Sequence, residues 1–167
     1  MAVHTHHGFP EQDVDSDGVV RILSMIPKLE IIDMPQWSIV GRHCSDTTLR
    51  NFGKEKYLAQ MVDWIAEARR RGADRVVSIY HSCHRQMVLS QLDAPPESRV
   101  EVENYLGLMA RGLGLPLHED KFARFSTLGN VDQIMHELAG EIAKSGIDPE
   151  RARRAIKAHF GARDPSC

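Results

Sequence analysis

Apolar positions recur along this chain at two spacings. Between Lys54 and Arg71, the residues Tyr57, Met61, Trp64, Ile65 and Ala68 return at helical intervals, which predicts an amphipathic helix with one buried stripe. Arg69, Arg70 and Arg71 occupy its last turn, where cations suit the helix dipole. Gly72 follows as the natural residue past the helix end. The next segment, Arg75-Val76-Val77-Ser78-Ile79-Tyr80, is a continuous β-branched run, the signature of a strand buried on both faces of a parallel sheet. Helix, glycine turn and buried strand form the second half of a βαβ unit. Ala2 to Thr5 and Leu29-Glu30-Ile31-Ile32 read as further strands.

The remaining pattern is mostly helical. His6 to Asp15 reads as a loop, followed by a helix capped by Ser16 or Asp17, with Val19, Val20, Leu23 and Ile26 on one face and Pro27 at its end. Asp33 to Gly53 is polar and aperiodic, hence a long loop, and loops of that length are often functional. A helix is expected from His84 to Leu92, broken by Ala94-Pro95-Pro96, and another through Val102, Tyr105, Leu106, Met109 and Leu113. Asn130, with Gln133 three residues on, opens a helix whose core face is Val131, Ile134, Met135, Leu138 and Ile142. Asp148-Pro149 opens the last, with Ala152, Ala155, Ile156 and Phe160 inward. The expected fold is α/β: a parallel β-sheet of βαβ units flanked by helices, with a mainly helical C-terminal portion. One domain is expected over residues 1–167, its α/β part ending near residue 113.

Composition narrows the function classes. The chain has 167 residues, 42% hydrophobic and 26% charged, with a formal net charge of −2. That balance fits a globular domain and does not suggest a nucleic-acid or anionic-membrane partner. No apolar run is long enough to span a bilayer, and the first residues lack a signal-peptide pattern, so the cytoplasm is the expected compartment.

The chemistry lies in cysteine and histidine. Three cysteines, Cys44, Cys83 and Cys167, do not make a disulfide framework. Six of the nine histidines cluster: His4, His6 and His7, then His43 beside Cys44, then His81 and His84 around Cys83. Each cluster follows an expected strand. Ligands gather at the carboxyl ends of strands in parallel sheets, so three such loops can converge on one point, with Cys83 near a helix N-terminus that favours a thiolate. Thiolate and imidazole together suit zinc, iron or an iron–sulfur cluster.

At these residues the chain resembles the cysteine-rich CCG domain family of heterodisulfide reductases and related iron–sulfur proteins. Val3-His4-Thr5-His6-His7 resembles the family's His-x-x-Cys entry, placing His7 at the first cysteine. Arg21 to Glu30 is similar to its helix ending in Ile-Pro-Gly, and Gly72 to Val77 leads into the last motif as in the family. Tyr80-His81-Ser82-Cys83-His84 resembles its Cys-Pro-x-Cys-His, with Tyr80 in place of one ligand and Cys83 keeping the other. Asn104 to Met109 looks like the helix that follows. The Cys-Cys-Gly motif has two candidates, Ile39-Val40-Gly41 and His43-Cys44-Ser45, of which His43-Cys44 keeps ligand chemistry.

The resemblance spans residues 3–113. It implies a metal centre or iron–sulfur cluster bound by Cys83 and Cys44, with His7 and His43 as substitute ligands and Tyr80, His81 and His84 around it. It implies a redox accessory or electron-transfer role, as one component of an oxidoreductase working with a flavin or iron–sulfur partner. Three alternatives stand beside this: a degenerate module holding zinc or haem, a protein-interaction module without a metal, and a small enzyme with Cys83 as nucleophile. Self-association is left open.

Overall fold

The computed structural model describes residues 1–7, 10–35, 51–92, 94 and 99–161. The chain divides into two units, Met1–His118 and Glu119–Cys167, where the sequence reading has one domain with a helical portion from residue 114. The first unit contains strand β1 (Ala2–His4), helix α1 (Pro10–Leu23), helix α2 (Lys54–Arg70), strand β2 (Arg75–Ser78), helix α3 (His81–Ser90), strand β3 (Glu101–Asn104) and helix α4 (Tyr105–Gly112). The three strands form one parallel sheet in the order β1-β2-β3. The α/β architecture and the mainly helical C-terminal part are both as expected.

Strand alternation distributes the core to two faces. Ala2 and Val76 join Tyr57, Met61, Trp64, Ile65 and Ala68 of α2 and Met87 of α3 on one side. Val3 and Val77 join Val19 and Leu23 of α1 and Leu108 of α4 on the other. The stripe expected on α2 is therefore the buried stripe found there. Fully burying one such large apolar side chain stabilises by about 1.5–3 kcal/mol.

Several boundaries differ from the sequence reading. Helix α1 begins at Pro10, not near Ser16. Proline at the first helical position pre-sets φ and gives up no needed donor, and Glu11 and Asp13 complement the dipole in the first turn. Ser16 is thus a buried residue in the second turn rather than a cap. Of the expected strand Leu29–Ile32, Ile32 makes an isolated bridge to Ala2 and Glu30 O accepts from the Met1 amine, since β1 offers just three residues to pair with and these run alongside β2. Helix α3 starts at His81 rather than His84. The helix expected from Val102 is first a strand: β3 runs Glu101 to Asn104 in register with Arg75 to Ser78. Asn104 then caps α4 by accepting from Leu106 N.

The second unit holds helices α5 (Lys121–Leu128), α6 (Val131–Glu137), α7 (Ala139–Ser145) and α8 (Pro149–Phe160). The side chains of Asp120, Asn130 and Asp148 accept from Ala123 N, Gln133 N and Arg151 N, satisfying donors that a helix start leaves open. Phe125, Ile134 and Ile156 make the core, with Val131, Met135, Leu138, Ile142 and Phe160 against it. The segment expected as one helix from Asn130 breaks at Leu138 into two. Ala155, expected inward, is exposed, because the core-facing positions of α8 are Ala152, Ile156 and Phe160, four residues apart. Helix α5 has no counterpart in the sequence reading. No helix among the described residues is long and apolar enough to cross a membrane.

Candidate metal centre

Parallel pairing sets the carboxyl ends of β1 and β2 side by side, His4 opposite Ser78. His4 is the last residue of β1 and Cys83 the third of α3, the helix that opens three residues after β2. His6 follows β1 by two residues. The Cys83 Sγ and His6 Nε2 lie 3.1 Å apart. One ligand atom from each of His4, His6 and Cys83 lies within 4.8 Å of the others. All three residues are buried, at 1%, 2% and 0% exposure.

The surroundings fasten the His6 backbone and pack rings against both imidazoles. The Ser16 hydroxyl accepts from His6 N at 2.8 Å and donates to His6 O at 2.9 Å, fastening the post-strand loop to α1. The two imidazoles meet edge to face at 4.8 Å. Trp64 stands edge-on to His4 at 5.1 Å, and Tyr80 edge-on to His6 at 4.7 Å. Tyr80 Oη donates to Asp15 Oδ2 at 2.7 Å. Burial and that carboxylate push the Tyr80 phenol up to about 12, so it stays neutral and keeps donating. Asn104 Nδ2 donates to Ile79 O at 3.3 Å, tying the β2–α3 turn to the end of β3. Among the described residues, His6 Nδ1 has no hydrogen-bond partner.

The residues singled out from sequence fall in different places. Cys83 is at the centre of the group. Tyr80 forms its wall. His7, matched by resemblance to the first ligand, is drawn aside: its Nδ1 meets Asp13 at 2.9 Å and its Nε2 meets Thr5 at 3.0 Å. His81 is exposed and His84 buried, their rings stacked at 6.4 Å. His43, Cys44 and the Ile39-Val40-Gly41 alternative lie outside the described residues. His4 and His6 take the positions facing Cys83. A local signal for them exists: residues two apart on an extended chain share a face, so His4 and His6 point together and His7 points away. Ser16 and Asp15 carry no such signal, since each acts through a partner distant in the chain.

Two imidazoles and one thiol in a buried group can ligate a transition metal. The same Cys83–His6 contact has the form of a nucleophile and its base. No protein-family model, curated protein or solved structure matches this chain.

Proposed function

We propose that this chain is a metal-binding redox accessory protein whose centre is formed by His4, His6 and Cys83. The observation that carries the reading is the mutual spacing of three buried donor atoms, all within 4.8 Å. Metal–nitrogen and metal–sulfur bonds are about 2.0 and 2.3 Å, so donors sharing one ion stand roughly 3–4.5 Å apart. The Cys83–His6 pair lies in that range at 3.1 Å, and all three donors lie within 4.8 Å of one another. A cubane cluster would instead spread thiolates over separate irons. The reading is therefore a mononuclear centre rather than the cluster implied by the CCG resemblance, which contributes the redox context and a flavin or iron–sulfur partner.

Elemental analysis of anaerobically purified protein tests it. One metal per chain is expected, lost in Cys83→Ser and in His6→Ala while the far-UV circular dichroism is kept. Metal-free protein that takes up no ion in a Cys83-dependent way would end the reading.

A second reading draws on the 3.1 Å contact between Cys83 and His6: a thiol-dependent enzyme with His6 as base. Burial weighs against it, since a nucleophile at 0% exposure must be uncovered to meet substrate. Rapid, His6-dependent alkylation of metal-free protein would favour it over the metal.

A further inference from the structure

We propose that the centre takes a single copper ion, held by two imidazoles and one thiolate and able to cycle between the cuprous and cupric states. This rests on the metal-binding reading above and names its ion. Among the described residues, the His4, His6 and Cys83 group includes no carboxylate, so hard, oxygen-seeking cations such as magnesium, calcium and manganese have little to bind there. A His2Cys set with low coordination number is the arrangement that suits copper in electron transfer.

The surroundings argue the same way. Trp64 covers His4 and Tyr80 covers His6, and the three donors are buried. Such walls exclude the waters that an octahedral ion keeps. The donors also sit on stiff supports: a strand end in register, a loop fastened twice by Ser16, and the first turn of α3. A site that resists rearrangement serves both oxidation states, because little has to move between them. Met87 lies one turn beyond Cys83 on α3 and is fully buried. Residues four apart share a helix face, so Cys83 and Met87 lie on the same face of α3, where Met87 packs in the core with Trp64.

The redox step is a single electron. Cupric ion gains one electron to become cuprous, with the same three ligands retained, no bond broken and no proton required. The donor is a one-electron carrier of the flavin or iron–sulfur class.

The test uses the full chain, stripped of metal under anaerobic conditions. Cuprous ion is titrated in against a chromophoric cuprous chelator, with zinc as a competitor, and the loaded protein is then oxidised with ferricyanide and re-reduced with ascorbate. The expected result is one copper per chain and an intense visible thiolate-to-copper band on oxidation. That band bleaches on reduction and returns on reoxidation, with the Cys83 thiol intact by mass spectrometry. In Cys83→Ser the band is absent and cuprous affinity falls by at least the roughly 10–100-fold that loss of an outer-shell partner causes. The wild-type band reports thiolate ligation by itself, so the result stands even where the serine variant misfolds. Cys83-dependent zinc binding, with cupric ion oxidising Cys83 and leaving, would overturn the copper assignment and keep the metal site. Absence of Cys83-dependent binding by either ion would overturn both.

Discussion

His6 is positioned by Ser16 rather than by its own neighbours in the chain. The serine hydroxyl uses both its donor and its acceptor on the His6 backbone, and both bonds are buried. Ser16→Ala should leave a buried N–H unpaired, a loss of about 1–3 kcal/mol in denaturant unfolding. It should also weaken metal binding by roughly 10–100-fold, the usual effect of removing an outer-shell support. A competitive chelator titration measures the second effect, and unchanged affinity would show that His6 needs no such fastening. At this scale the chain is partly legible. Cys83 stands out through its flanking histidines, and His4 and His6 are visible as a cluster. Resemblance points to His7, whereas the two-residue period of extended backbone favours His4 with His6.

Strand β3 shows where periodicity misleads. Val102, Tyr105, Leu106 and Met109 fall at three- and four-residue intervals, so the run imitates one helix although the chain changes from strand to helix at Asn104. The competing signal is the alternation of Val100, Glu101, Val102 and Glu103, whose acidic members pair with cations. Arg75 meets Glu101 at 2.5 Å and Glu103 at 3.0 Å, and Arg111 meets Glu103 at 3.0 Å. Burial nonetheless pushes the Glu103 carboxyl up, against the opposing pull of Arg75 and Arg111. Its folded value is above the unfolded one, so the folded state binds the proton more tightly. The associated stability is present below the ordinary carboxylate range and is lost as pH rises through that range and past the raised folded value. Glu103→Gln should remove that loss. Melting curves from the acid side of the carboxylate range to neutrality should show the wild type falling relative to the variant as pH rises, and parallel curves would refute the assignment.

At the scale of the whole molecule, each unit carries its own core: one built on the sheet, the other on Phe125, Ile134 and Ile156. Every residue of the candidate centre lies in Met1–His118. A chain ending at His118 should therefore fold and bind one metal with an affinity close to that of the full protein. Circular dichroism and metal titration check this, and an unfolded or metal-free fragment would show that the second unit is required. The sequence by itself determined helix α2, the buried strand β2, the core face around Ile134, the capped start of α8, and the place of Cys83 just beyond a strand end. These follow from local spacing, caps and β-branching, which act within a turn or a strand. Only the tertiary structure decided which histidines meet Cys83. His6 and Cys83 are separated by 77 positions and Tyr80 and Asp15 by 65. Parallel pairing of β1 with β2 and the packing of α1 bring them together; spacing along the chain shows that His4 and His6 share a face and that Cys83 follows a strand, but not that they meet.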